Sequence, residues 1–219
     1  MKVIAHIEND LRTKFGVPRQ SGIVEELESR IVFEPEYRNP EALRGLEGFS
    51  HLWLLWDFSE AHREEWSPTV RPPRLGGNQR MGVFATRSPF RPNPIGLSSV
   101  RIKEIQLSTN DGPVIIVEGA DLMNGTPIWD IKPYLPFTDS HPEARGGFTE
   151  ETSKQDPLEV ELSERVISRF SEQQICALRK ILASDPRPRY HDNPDRIYGI
   201  EFAGEDIKFK INKNKVIIL

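Results

Sequence analysis

Apolar positions along the chain recur mostly at strand spacing, and the segments between them are rich in Gly, Pro and Asn. Lys2–Ile7 alternates weakly and reads as an opening strand, and Ile31–Phe33 as a second, shorter one. Pro40–Leu46 is expected to form one helical turn, closed by Gly45 or Gly48. Phe49–Phe58, FSHLWLLWDF, is dense enough in aromatic and branched residues to predict a central strand buried on both faces. Ile95–Leu107 predicts a long strand with period-two positions at Val100 and Ile102. Asp111-Gly112 is a hairpin signal, with Val114–Glu118 as the returning strand. Asn124-Gly125 marks another turn before a strand at Ile128–Ile131. Many short strands with Gly/Pro loops predict an all-β barrel or sandwich for residues 1–138.

Beyond that point the pattern changes. Residues 139–157 are polar, carry Gly146-Gly147, and read as a linker. Residues 158–219 predict a small α+β domain. Ser171-Glu172-Gln173-Gln174 resembles a capping box, and Ile175, Leu178, Ile181 and Leu182 form one apolar helical stripe. Ile197–Phe202, Ile207–Ile211 and Val216–Leu219 read as a β-meander.

The stretch from Gly82 to Ser99, GVFATRSPFRPNPIGLSS, departs from simple patterning. It begins with a strand-like run, Val83-Phe84-Ala85, and enters the long strand at Ile95. Pro89, Pro92 and Pro94 fix φ and push Ser88, Arg91 and Asn93 toward extended conformations, so a stiff loop is expected. Arg87 and Arg91 sit on it. A rigid loop carrying two guanidinium forks suits a carboxylate or phosphate ligand, and a solvated surface turn is the plainer alternative.

The 219 residues are 37% hydrophobic and 28% charged, as in a globular protein with ample length for a core. No secretory signal is recognisable at MKVIAHIEND, and the longest apolar run, Leu52–Trp56, is too short to span a bilayer. Cys176 is the single cysteine, which excludes a disulfide framework and favours a reducing, cytoplasmic location. None of the five histidines is spaced like a metal ligand set, so no metal is expected. Net charge is −4, yet Ser67–Lys103 contains seven Lys/Arg and no Asp or Glu. A basic island on an acidic body is the footprint of local polyanion binding. Familiar nucleotide and hydrolase signatures (GxGxxG, the P-loop, HExxH, GxSxG) are absent. From these residues alone the reading is a β-barrel with a basic, proline-stiffened binding loop.

Five longer segments carry a resemblance. They are KFGVPRQSG (Lys14–Gly22), RGLEGFSHLWLLWDF (Arg44–Phe58), RPPRLGGNQRMGVFATRSPFRPNPIGLS (Arg71–Ser98), DLMNGTPIWDIKPYLPF (Asp121–Phe137) and DPRPRY (Asp185–Tyr190). Together they are similar to the TrmO (TsaA-like) family of tRNA N6-adenine methyltransferases. The Glu60–Trp66 loop and the Thr138–Pro157 stretch depart from it. The resemblance implies a mainly β, non-Rossmann, S-adenosylmethionine-dependent enzyme that works as a homodimer. Its implied reaction is methylation of N6 of threonylcarbamoyl-adenosine beside the anticodon of threonine tRNA. The implied cofactor pocket is Pro18, Arg19, Gln20, Ser59, Glu60, Arg87, Leu97, Asp121, Leu122, Met123 and Asn124.

Those residue types suit the cofactor. An arginine such as Arg87 or Arg19 can take its carboxylate, and Asp121 can accept from a hydroxyl or the ammonium. Asp130 is the candidate base, with Lys132 for a threonyl carboxylate and Tyr134 for stacking on the modified base. Arg71, Arg74, Arg80, Arg91, Arg187 and Arg189 are the candidate phosphate contacts. Two rivals remain open at this level. One is a non-catalytic barrel that binds S-adenosylmethionine or a nucleotide; the other is a methyltransferase with a non-tRNA acceptor.

Overall fold

A computed structural model describes residues 1–75, 79–152, 156–187 and 193–219, leaving the side chains of Arg74, Glu151 and Thr152 aside. Its framework is a closed six-stranded barrel. In chain order the barrel strands are β1 (Ala5–Glu8), β2 (Glu28–Phe33), β3 (His51–Asp57), β6 (Ile95–Thr109), β7 (Gly112–Glu118) and β8 (Pro127–Pro133). Between β3 and β6 the chain makes a projecting two-stranded ribbon, β4 (Thr69–Val70) with β5 (Met81–Gly82). Around the barrel the order is β1-β2-β7-β6-β3-β8, and β1 meets β8 at Ala5↔Ile128 to close it.

Every barrel pairing is antiparallel, and the interior is filled rather than open, as expected for so few strands. Ile7, Ile31, Leu52, Leu54, Trp56, Val100, Ile115, Val117 and Ile128 form that interior. Along β3 the burial alternates strictly. Leu52, Leu54 and Trp56 point inward, while His51, Trp53, Leu55 and Asp57 lie half-buried on the outer face. The expectation of a strand buried on both faces is therefore corrected, because among the described residues the outer face of β3 is only partly covered, Tyr134 and Asp139 lying against Trp53. A second correction concerns Val83–Ala85, which is a 3-10 turn rather than a strand. Val83 N–H is drawn to Pro68 O at 2.9 Å, and Thr86 closes the turn onto Val83 O. Strand β6 is the longest because it serves two partners. Its first half pairs with β3 (Ile95–Arg101) and its second half with β7 (Arg101–Thr109).

After β8 come two single-turn helices, α1 (Pro136–Asp139) and α2 (Thr149–Thr152). The remainder comprises β9 (Glu159–Glu161), α3 (Glu164–Ile167), α4 (Glu172–Ala183), β10 (Tyr198–Phe202), β11 (Glu205–Asn212) and β12 (Lys215–Ile218). The meander β10-β11-β12 is extended by β9, parallel to β12. The capping box of α4 forms as read: Ser171 Oγ accepts from Gln174 N, and the Gln174 side chain accepts from Ser171 N. Leu178, Ile181 and Leu182 bury the helix stripe in a second core. That core also takes in Leu11, Val24 and Leu27 from the long β1–β2 connection. At Gly16, buried and at φ +102°, a Cβ would lie 2.2 Å from Ile200 Cδ1, so glycine permits this connection to dock on β10. The β1–β2 connection is thus held by the C-terminal part at one end and by the barrel at the other.

Candidate active site

The site begins where the interior face of β6 runs short of bulk. Inward positions 96 and 98 carry Gly96 and Ser98, both buried. A Cβ at position 96 would stand 2.1 Å from the Trp56 ring, so only glycine lets that indole lie against the strand. So placed, Trp56 donates Nε1–H to Ser98 Oγ at 3.0 Å, and Ser98 donates its own hydroxyl to Asp121 Oδ1 at 2.5 Å. A hydroxyl is the group that can accept on one side and donate on the other. Asp121 is held on the barrel side of the sheet, with protein around most of it. Burial pushes its carboxyl above the ordinary carboxylate range. Opposing this, in smaller measure, are the Ser98 hydrogen bond, the backbone, and the nearby Arg87 charge.

Two loops converge on this carboxylate. The Arg87 guanidinium donates to Gln20 Oε1, which ties the proline-stiffened loop to the Pro18-Arg19-Gln20 loop. The latter is anchored behind Gln20 by Gly22 N–H to Gly119 O at 2.8 Å. Ser59 and Glu60 follow β3 in a turn fastened to the same region, with Phe58 N–H on Pro94 O and Glu60 Oε2 2.9 Å from Lys14 Nζ. Gln20, Arg87 and Asp121 therefore come together from three separate segments, while Glu60 is tied through Lys14 to the connection that carries Gln20.

Other predicted cofactor residues are engaged differently. The Arg19 guanidinium points at the C-terminal part, donating to the backbone carbonyls of Asp185 and Arg187, the latter at 3.0 Å. That turn is unusual. Asp185 adopts left-handed φ (51°), and its carboxylate clasps Arg187 at 2.9 Å through both Nε and Nη2. Arg187, read as a phosphate contact, spends that bidentate pair within its own turn. Leu122 has no exposed surface and belongs to the barrel core, and its carbonyl accepts from Asn9 Nδ2 at 2.8 Å. Asn124 Oδ1 accepts from Asn9 N at 2.9 Å, and Met123 O accepts from Thr126. Pro18 is buried.

The candidate catalytic residues stand on the opposite side of the sheet. Register aligns Leu97, Leu55 and Asp130 in one row across β6, β3 and β8, with Ser99, Trp53 and Lys132 in the next. Leu97, 51% exposed, lies about two strand spacings, or roughly 10 Å, from Asp130. Asp130 Oδ2 is 3.1 Å from Lys132 Nζ, and its Oδ1 accepts from Ile131 N at 3.0 Å. Tyr134 packs against Trp53 with ring centroids 5.5 Å apart. Trp53 donates to Asp139 Oδ2 at 2.8 Å, and the same oxygen accepts from Leu135 N–H; these bonds, the backbone one foremost, hold the Asp139 carboxyl below its usual range. A two-against-one bulge at Trp129 breaks the register just before Asp130 and turns both side chains away from the core.

The basic island is less uniform in space than in sequence. Arg101 pairs with Glu118, and Lys103 with Glu28 and Glu118, so two of its seven charges are compensated. Arg80 hydrogen-bonds Thr69 Oγ1 and Arg91 the carbonyl of Thr86, neither pairing with a carboxylate among the described residues, and Arg71 is exposed on the ribbon. The Arg74 side chain and Arg189 lie outside the described residues. Gly96, Trp56 and Ser98 were missed by sequence reasoning. Two small residues at the alternate positions that precede Val100 on the inward face of β6 were the available signal.

Among the described residues no helix is long and apolar enough to cross a membrane, and no group of His, Cys, Asp and Glu is gathered as for a metal ion. The profile of the tRNA-methyltransferase O N-terminal domain matches residues 6–140, and that of the TrmO C-terminal domain residues 155–219. The Escherichia coli tRNA (adenine(37)-N6)-methyltransferase is 40% identical over 215 residues, covering 95% of this chain and 91% of that one. A Pseudomonas aeruginosa relative, provisionally named an S-adenosylmethionine-dependent methyltransferase, is 37% identical over 93% of this chain and 89% of its own. A crystal structure of TrmO from Pseudomonas aeruginosa superposes with a TM-score of 0.78 at 30% identity, covering 100% of this chain and 95% of that one.

Proposed function

The chain belongs to the tRNA-methyltransferase O family, and on that premise we propose that it is an S-adenosylmethionine-dependent tRNA (adenine-N6)-methyltransferase. Its acceptor in this reading is N6 of threonylcarbamoyl-adenosine beside the anticodon of threonine tRNA. The observation that carries the reading is the gathering of a desolvated acid, Asp121, with Arg87 and Gln20 at one end of a barrel that has no nucleotide-fold signature.

The residues present fit the cofactor. Asp121 retains lone pairs for a ribose hydroxyl or an ammonium, and Arg87 offers the guanidinium fork that a carboxylate needs. Both are fixed before any ligand arrives, Asp121 by Ser98 and Arg87 by Gln20, so little ordering is left for binding to supply. Bound S-adenosylmethionine supplies an electrophilic methyl on a sulfonium. The protein's task is alignment of acceptor and methyl, and removal of the proton that N6 sheds. Asp130 takes that proton. Lys132, beside it, meets the threonyl carboxylate, and Tyr134 stacks on the modified base. Exposed Leu97 and Ile95, next to this row, support a homodimer in which a second copy covers the outer face near the site.

The test is incubation of the protein with methyl-labelled S-adenosylmethionine and total tRNA, with and without the threonylcarbamoyl modification. Label confined to modified threonine tRNA is the expected result. No label, with cofactor binding intact by calorimetry, overturns the assignment in favour of a binding barrel or another acceptor. Sedimentation of the free protein checks the dimer.

A further inference from the structure

The ribbon β4–β5 grows from a root in which large aromatic rings are exposed. Phe84 is 71% exposed and Trp66 52% exposed, and they stack on each other with centroids 6.0 Å apart and an interplanar angle of 27°. The Arg91 guanidinium sits 5.8 Å from the Phe84 centroid, and close by in the chain Arg63 covers the Phe90 ring at 3.7 Å. Rings of this size are costly to hold in water, and here each contributes one face to its neighbour while keeping other surface open. The pair is positioned, not loose: Val83 N–H on Pro68 O and the Thr69↔Gly82 pairing hold its two backbones side by side.

We propose that Trp66, Phe84 and Arg91 form a stacking platform for an unpaired nucleobase of the RNA substrate, with Arg63 over Phe90 as a second place. The proposal rests on the tRNA reading above and adds a site to it. Aromatic faces with interleaved arginines accept any base by its π-face, while the guanidinium groups meet the phosphates between bases. Charge complementarity favours RNA over an apolar protein partner. Arg63, Arg80 and Arg91 have no ion pair with a carboxylate among the described residues, although Glu64 and Glu65 stand next to Trp66 in the chain. An unpaired base is available in a tRNA loop and absent from a stem, which makes the platform a reader of loops.

The experiment measures anisotropy of a labelled RNA hairpin with an unpaired loop and of a fully paired duplex of equal length. Both are titrated with the wild type and with Trp66→Ala, Phe84→Ala and Trp66→Phe. The wild type is expected to prefer the hairpin. Trp66→Ala and Phe84→Ala should weaken hairpin binding at least about fivefold and abolish the preference. Their slope against salt, their melting temperature and their affinity for S-adenosylmethionine should be unchanged, and Trp66→Phe should keep most of the preference. Unchanged hairpin affinity in both alanine variants overturns the platform. A shift of those variants from dimer to monomer also overturns it, making the cluster a contact between copies. A wild type that binds neither RNA refutes the tRNA reading itself, a result distinct from the first two.

Discussion

Asp121 and Asp130 flank the same short stretch of chain, yet they work on opposite sides of one sheet. Asp121 faces the barrel, is enclosed by protein, and accepts a hydrogen bond from the Ser98 hydroxyl. Asp130 faces outward, is 47% exposed, and shares its charge with Lys132. The first has the environment of a preorganised ligand-binding acid, whose desolvation is tolerable because a partner is expected to compensate it. The second has the accessibility that proton transfer with a macromolecular substrate requires. The inward strand positions of β6 build one and the bulge on β8 exposes the other. Chemistry of the side chain alone would not distinguish them.

The largest effect that tests this contrast is on turnover. Asp130→Asn is expected to lower single-turnover methyl transfer by about 10²- to 10⁴-fold while leaving cofactor affinity intact by calorimetry. Full activity in that variant removes Asp130 as the base. Asp121→Asn should behave in the opposite way, weakening the cofactor about tenfold to a hundredfold, the worth of a charge-assisted hydrogen bond.

Asp121→Asn also carries a stability signature. Burial raises the folded carboxyl above its unfolded value, so its ionised form costs stability in full above that raised value, and the cost fades as pH falls from the raised value towards the unfolded one. In the absence of cofactor the variant should therefore melt higher than the wild type near neutral pH, and the gap should narrow on acidification. A variant that melts lower at neutral pH would show that the Ser98 hydrogen bond outweighs burial.

Gly96→Ala tests how the inner carboxylate is held. The added methyl meets the Trp56 ring, so a loss of about 1–3 kcal/mol is expected in denaturant titration, with weaker cofactor binding as Trp56 and Ser98 shift. The smallest effect concerns the outer side. Asp139 is held below the usual carboxylate range by Leu135 N–H and then by Trp53. Its contribution is complete above the unfolded value and is lost as pH falls through the lowered one. Acid titration of tryptophan fluorescence should show a change there in the wild type that Asp139→Asn lacks.

Much of the architecture was legible. The hairpin at Asp111-Gly112, the capping box at Ser171 and the helix stripe ending at Leu182 are local patterns set by turn chemistry and helical periodicity, and each appears where the pattern placed it. Phe49–Phe58 misled because density of apolar residues does not say how many faces are covered; strict alternation of burial emerged only once the barrel closed. Val83–Ala85 misled because a three-residue apolar run has no period of its own, and a single bond to Pro68 O decided its shape.

The candidate site divides along the same line. Proline placement announced the stiff loop, and the run of arginines without acids announced its charge. Which arginine faces what was not legible, because it depends on partners far away in the chain. Arg19 turns to the carbonyls of Asp185 and Arg187, whereas Arg87 turns to Gln20. The sequence by itself determined the strands, turns, helix and charge distribution, since these follow from interactions between near neighbours. Only the tertiary structure decided that Gly96 makes room for Trp56, that Ser98 thereby reaches Asp121, and that Asp121 and Asp130 lie on opposite faces. Those outcomes depend on barrel closure and on a one-residue bulge, which set side-chain direction through contacts that no local pattern encodes.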